Sequence, residues 1–345
     1  MMIFRDLPKT YLIAEIGVNH GGNVELAKEM VMAAKKAGAD AVKFQTFTAD
    51  SLVTPSTPKV DYQKITTSQD ETHYEMIKSL EFKYEDHPPV IEFCNELDID
   101  FISTPYDIKS AIFLDALGVQ IFKIASADIV DLQLNEFLAS TGKAVIVSTG
   151  MASLEEVEAA VDIYRKADNL NICLLHCVAN YPCSITSLNM AVIETLYSKF
   201  KLSVGYSDHS VGSLAASISV ALGARVIEKH FTLDKEMEGP DHKASSTPSE
   251  FSELVQVVRD TEVALGSPNK KCQDEEKQMR SVSRKSILTA HELPVGKVIE
   301  EADLVMKRPG TGLLASHYFE VIGRKIVRKV PANSFLSWED IEQLS

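Results

Sequence analysis

Cysteine is scarce in this 345-residue chain. The five present, Cys94, Cys173, Cys177, Cys183 and Cys272, form an odd and scattered set. Such a set argues against a disulfide framework and fits a reducing, cytoplasmic compartment. Cys173 and Cys177 read as packing residues of a strand and its exit, with metal binding a minor alternative. No apolar run approaches the ~20 residues of a membrane helix, so no membrane partner is expected. The first eight residues lack the apolar core of an export signal. Positive charge is in deficit. The net charge of −14 argues against nucleic acid as a partner. No dinucleotide-type glycine loop follows the first apolar run.

What remains is an ordinary globular composition, 45% apolar and 24% charged, with room for a large core and two domains. The acidic excess is not uniform. From Lys285 to Ser345 there are eight basic and eight acidic residues, so it lies wholly in the first 284. Cations gathered in one pocket still let an acidic protein hold an anion.

The chain reads as a repeated strand–helix unit. Residues 11–14 are a buried strand, followed by a polar, glycine-rich turn. Asn23 has the character of an N-cap. Leu26, Met30, Ala33, Ala34 and Ala37 share a helical face, and Gly38 ends the helix. Residues 41–45 form the second strand. The polar stretch from Thr46 to about Tyr84 breaks the rhythm, with a short helical pattern around residues 74–80, and reads as a functional loop. Further strands are predicted at 100–103, 121–124, 144–147, 171–175, 202–205 and 225–228, each followed by a helix. Ser153 to Glu156 is a capping-box start. Eight such units over residues 1–265 predict a (β/α)8 TIM barrel. An open doubly wound sheet, the alternative, usually has fewer strands. Residues 266–284 read as a charged, partly helical linker. Residues 285–345, punctuated by Pro294, Gly296, Pro309, Gly310, Gly312 and Pro331, read as a small domain of short strands and turns.

In such barrels the chemistry sits at the C-terminal strand ends. Those ends carry Glu15, Lys43, Gln45, Ser103, Thr104, Lys123, Ser126, Ser148, Thr149, Ser207, His209, Lys229 and His230, with Tyr181 in the loop after strand six. His209 and His230 follow neighbouring strands and could share one divalent metal; the alternative is two histidines hydrogen-bonded separately. Lys43 and Lys123 lie in apolar strands, where a charge must be paired or ligated. They are either tied to acids such as Glu15 or Asp128, or hold an anion together with serine hydroxyls. A Schiff-base lysine is a third reading. Glu15 is a structural acid or a general acid/base. The residues taken by themselves point to a metal-assisted barrel enzyme acting on a small anion.

Several motifs carry more. Ala14-Glu15-Ile16-Gly17-Val18-Asn19-His20, Val42-Lys43-Phe44-Gln45-Thr46, Ser103-Thr104-Pro105, Lys123-Ile124-Ala125-Ser126, Ser148-Thr149-Gly150-Met151, Tyr206-Ser207-Asp208-His209, Glu228-Lys229-His230-Phe231 and Gly239-Pro240-Asp241-His242 follow in the order seen in the sialic acid synthases. The chain resembles that family over almost its whole length. The stretch around Lys307-Arg308-Pro309-Gly310 is similar to its antifreeze-like (SAF) domain. The resemblance implies condensation of phosphoenolpyruvate with an N-acylated mannosamine-type sugar and water, giving a 2-keto sugar acid of the N-acetylneuraminate type and phosphate. Legionaminic acid synthesis from a 2,4-diacetamido-2,4,6-trideoxy sugar is the nearby alternative, and pseudaminic acid synthesis a further one.

By the same resemblance His209 and His230 would bind a divalent cation, usually manganese, with magnesium or cobalt as substitutes. Lys43, Thr104, Lys123, Ser126, Ser148 and Ser207 would hold phosphoenolpyruvate, and Glu15 would be the acid/base. Gln45, Tyr181 and Asp241 would contact the sugar, as would Asp128, which stands where many members carry glutamate. Arg308 would reach the barrel of the partner subunit in a domain-swapped homodimer. Ala179 stands where the family often has asparagine, so that contact is not carried over. The Phe44-Gln45 pair and the Tyr62-Gln63 stretch fit both acceptor sugars.

Overall fold

A computed structural model describes residues 4–59, 63, 67–68 and 70–343; Tyr62 lies outside them. The chain divides into two compact units, Met1–Gly266 and Ser267–Ser345.

The first unit is a closed barrel of eight parallel strands, with β8 returning to β1. The strands are β1 Tyr11–Gly17, β2 Ala41–Thr46, β3 Asp100–Pro105, β4 Ile121–Ile124, β5 Ala144–Ser148, β6 Ile172–Cys177, β7 Ser203–Asp208 and β8 Val226–His230. The helices around it are α1 Val24–Ala37, α2 His87–Glu96, α3 Ile108–Ala116, α4 Leu132–Ser140, α5 Leu154–Lys166, α6 Val192–Phe200, α7 Leu214–Ala221 and α8 Pro248–Leu265. Among the described residues two shorter helices, Ala49–Leu52 and His73–Ser79, lie in the excursion between β2 and α2.

Local signals set the helix ends. The Asn23 side chain accepts from the N–H groups of Glu25 and Leu26, and Gly38 closes α1 at φ 97°, a left-handed conformation that only glycine adopts cheaply. The expected Ser153 capping box is formed. The buried face of α1 is Ala27, Met30, Val31, Ala34 and Ala37, rotated slightly from the expected stripe, which leaves Leu26 and Ala33 half-buried.

Most strands run further toward the C-terminal mouth than their apolar runs do. β7 continues through Tyr206, Ser207 and Asp208, and β8 ends on His230. The closed ladder keeps these polar residues hydrogen-bonded to both neighbours, so their backbone stays extended without an apolar side chain. Alternation along a strand then divides them between the barrel interior and the helix layer. At the N-terminal end the interior is apolar, with Ile13, Ile102, Ile121, Ile146, Cys173, Leu175 and Val226 in one buried cluster. Two residues further along each strand it turns polar.

The second unit pairs β9 Ser286–Thr289 with β10 Leu304–Lys307 antiparallel. Isolated bridges such as Val298↔Lys325 and Ile326↔Ile341 extend the pattern. Its small core includes Ile287, Leu293, Ile299, Val321, Leu336 and Ile341. The stretch read as a linker contains a short helix, Lys277–Ser283. Among the described residues no helix is long and apolar enough to cross a membrane.

Candidate active site

The polar layer of the barrel opens into a cavity of about 320 Å³ at the C-terminal strand ends. A cavity of about 630 Å³ lies elsewhere on the barrel, lined by residues such as Arg5, Lys9, Tyr197 and Arg225; the chemically equipped residues lie in the smaller one. Strand alternation brings Glu15, Lys43, Gln45, Thr104, Lys123, Ser148, Ser207, Glu228 and His230 to the smaller cavity, and the loops add Ser126, Tyr181, His209 and Asp241.

Two buried cations and two buried carboxylates form its floor. Lys43 Nζ lies 2.6 Å from Glu15 Oε2 and 3.9 Å from Glu228 Oε2, and donates to Thr104 Oγ1 at 3.2 Å. Lys123 Nζ donates to Ser148 Oγ at 2.6 Å and to the Ile124 carbonyl at 2.8 Å, and stands 4.0 Å from Glu228 Oε1. Ser207 Oγ donates to Glu228 Oε1 at 3.1 Å. Lys43 is thus tied to Glu15, while Lys123 is held by hydroxyl, carbonyl and Glu228 rather than by Asp128.

Burial pushes the Glu15 carboxyl up to about 7, opposed by Lys43 and reinforced by Glu228. Burial raises Glu228 too, but Lys123 and Lys43 outweigh it and hold Glu228 below the usual range. Burial lowers Lys123. Like charges this close are tolerated only because each has an opposite charge beside it.

The two histidines meet, with ring centroids 5.5 Å apart. Tyr181 packs against both, at 4.0 Å from His209 and 5.4 Å from His230. Burial lowers the pKa of each imidazole, so both are neutral. His209 Nδ1 lies 2.9 Å from the Val178 carbonyl. A neutral ring donates there and leaves Nε2 with its lone pair, the orientation that metal-ligating histidines have. His230 Nδ1 is buried with no hydrogen-bond partner. That orphaned nitrogen and the fixed tautomer of His209 fit a divalent cation. Among the described residues no group of three His, Cys, Asp or Glu is placed to hold a metal, so other positions around a cation would fall to substrate or water oxygens.

Of the other expected residues, Ser126, Gln45 and Asp241 line the cavity, whereas Asp128, Lys229 and Ser103 do not. Ser126 Oγ accepts from the Gly150 N–H at 3.0 Å, and a Cβ at Gly150 would come within 2.8 Å of that oxygen. Gln45 Nε2 donates to Glu15 Oε1 at 3.0 Å. Asp241 is pushed up to about 6 by burial, with Lys43 opposing. Asp128 is pushed up to about 6 by burial and by Asp131; it is half-buried and not among the lining residues. Lys229 turns outward and is tied to Asp208 Oδ2 at 2.7 Å. Ser103 also faces away from the cavity, bonded to Thr46 Oγ1 at 2.7 Å. Arg308 belongs to the second unit.

Sequence reasoning missed three features. Glu228 carries the floor between the lysines. Its signal was available, because it stands two residues before His230 on one strand. Cys177 lines the cavity with Sγ 3.8 Å from His209 Nδ1, whereas Cys173 packs in the apolar interior as expected. The third is an apolar wall formed by Val18, Phe47, Leu52, Met76, Ile77, Leu80 and Tyr106.

Fold and site together define a (β/α)8 barrel whose mouth presents paired lysines, hydroxyls and two neutral imidazoles. The chain belongs to the NeuB family, whose model matches residues 30–270; residues 284–342 match the SAF domain. An N,N'-diacetyllegionaminic acid synthase of Legionella pneumophila is 45% identical over 96% of this chain and 94% of its own. A Campylobacter jejuni protein of the same name is 41% identical over 92% of this chain and 96% of its own. Among solved structures, an N-acetylneuraminic acid synthetase from Leptospira borgpetersenii, in complex with citrate, matches with a TM-score of 0.70 at 35% identity, covering 79% of this chain and 90% of that one.

Proposed function

We propose that this protein condenses phosphoenolpyruvate with an open-chain N-acylated amino sugar and water, releasing phosphate and a 2-keto sugar acid. The observation that carries this reading is the convergence of Lys43, Lys123 and two neutral histidines in one cavity. For the acceptor, 2,4-diacetamido-2,4,6-trideoxymannose is favoured, with N,N'-diacetyllegionaminic acid as product. The support is the identity to two synthases of that name, 45% and 41%. N-acetylmannosamine, the first expectation from sequence, stands second, supported by the 35% identical sialic acid synthetase structure.

Lys43 and Lys123 would meet the phosphate and carboxylate of phosphoenolpyruvate, and Thr104, Ser126, Ser148 and Ser207 would supply hydroxyl hydrogen bonds. A divalent cation held by His209 and His230, manganese first with magnesium or cobalt as substitutes, would supply Lewis-acid polarisation of the sugar aldehyde. In the overall change C3 of phosphoenolpyruvate bonds to C1 of the sugar, water adds at C2, and the C2–O bond breaks to free phosphate. Glu15, poised near 7 beside Lys43, can hold or give up a proton at its carboxylate while that change proceeds. Gln45, Tyr181 and Asp241, which line the cavity, would orient the sugar. A domain-swapped homodimer, with Arg308 completing the partner's site, belongs to the same proposal.

The test is phosphate release from phosphoenolpyruvate with manganese, offering the two sugars side by side. Faster release with the diacetamido sugar is expected. Release with neither would overturn the reading.

A further inference from the structure

One side of the cavity is lined mainly by apolar side chains. Phe47, Met76 and Leu80 are buried against one another, and Leu52, Ile77 and Tyr106 pack on them half-buried. All six also line the cavity. The Phe47 and Tyr106 rings meet edge to face at 5.8 Å. Part of this cluster is simply the core of the excursion between β2 and α2. The half-buried members are different, because their remaining apolar surface faces the space where substrate must sit.

The wall's position says what covers it. Phe47 follows β2 and Tyr106 follows β3, whereas His209 follows β7 and His230 ends β8. In the closed strand order β3, which Tyr106 follows, lies opposite β7, which His209 follows, and β2 lies next to β3 on that side. The lysines and carboxylates occupy the floor between. An open-chain sugar with C1 at the histidines therefore extends its far carbons toward the wall. Set against the side chains of Leu52, Met76 or Ile77, a hydroxyl loses its water without gaining a partner from them, while a methyl group loses nothing.

We propose that this wall, with Leu52 and Ile77 at its exposed edge, is the acceptor-selecting element: it receives the methyl groups of a 6-deoxy, diacetamido sugar and disfavours one with a C6 hydroxyl. The inference rests on the synthase reading above and assigns its specificity to residues outside the barrel strands.

The experiment measures kcat/KM of the full-length protein with manganese and phosphoenolpyruvate for each sugar, before and after Ile77→Thr. The substitution keeps a β-branched side chain and puts a hydroxyl on the wall. The expected result is a fall of about tenfold or more for the diacetamido sugar, little change for N-acetylmannosamine, and an unchanged KM for phosphoenolpyruvate. Ile77→Val should retain the original preference. Leu52→Thr reads the same ratio if Ile77→Thr fails to fold. An equal loss with both sugars, or an unchanged ratio, overturns the wall's role and leaves the synthase standing. No phosphate release with either sugar by the unaltered protein overturns the synthase reading and this inference with it.

Discussion

Glu15 and Lys43 form an ion pair of 2.6 Å inside the barrel, with side-chain exposures of 2% and 4%. Removing Lys43 would leave two buried carboxylates without the cation between them, whereas neutralising Glu15 still leaves Lys43 beside Glu228 at 3.9 Å. Burial raises the Glu15 carboxyl to about 7 and Lys43 opposes that rise, so the lysine keeps the group from being driven higher. Glu15→Gln keeps the shape and removes the proton site. We expect kcat to fall by roughly 10²–10⁴-fold with the melting temperature nearly unchanged. Steady-state kinetics beside a thermal melt checks this, and a variant within threefold of the parent refutes the acid/base role.

Lys43→Met should behave differently. It leaves Glu15 and Glu228 buried without their shared cation, a change that costs on the order of 3–5 kcal/mol. The loss should appear as a lower urea midpoint as well as lost activity. Lys43 is held as an ammonium by Glu15, and the proposed condensation forms no imine at Lys43 or Lys123. Borohydride added with substrate should therefore leave the intact mass unchanged.

The histidine pair predicts metal dependence. Chelation should abolish phosphate release, and manganese should restore it. His230→Ala should remove turnover and weaken manganese binding at least tenfold by titration, with the fold retained. Near-normal turnover or unchanged manganese affinity in that variant would sink the metal assignment.

Subunit exchange tests Arg308. If it serves the partner's barrel, mixing inactive Arg308→Ala and inactive His230→Ala proteins forms heterodimers with one complete site. Random exchange then restores roughly a quarter of full activity, since about half the dimers are mixed and each has one of two sites intact. A site completed within one chain gives no recovery.

Acid should destabilise the barrel through two histidines outside the cavity. Burial lowers His20 to about 4, with His87 adding to the effect, and burial lowers His87 to about 4 as well. Unfolded, each titrates near ~6.5. Between these values the unfolded chain binds more protons, so stability falls as pH drops below about 6.5, and the loss is complete below about 4. At pH 5 each contributes a loss of ~2 kcal/mol. Urea midpoints at pH 7 and pH 5 should show the drop, and His87→Gln should reduce it.

Much of the architecture was legible locally. Asn23, Gly38 and Ser153 announced helix ends because caps are made by adjacent residues. Eight apolar runs between amphipathic stretches implied eight parallel strands, and the lysines inside those runs stood out because a charge in such a strand demands a partner. Local sequence also placed His209 and His230 at neighbouring strand ends.

Only the closed barrel decided which polar residue faces the cavity. Ser207 and Glu228 point inward while Asp208 and Lys229 point out, because the ladder carries β7 and β8 past their apolar runs and alternation continues to the last residue. The apolar wall was hidden for a different reason. Its members come from the ends of β1, β2 and β3 and from two short helices of a polar excursion, so no periodic pattern joins them. Sequence determined the elements and the kinds of chemistry available. Tertiary closure decided which side chains share one space, because that depends on strand register around a ring and on contacts between residues distant in the chain.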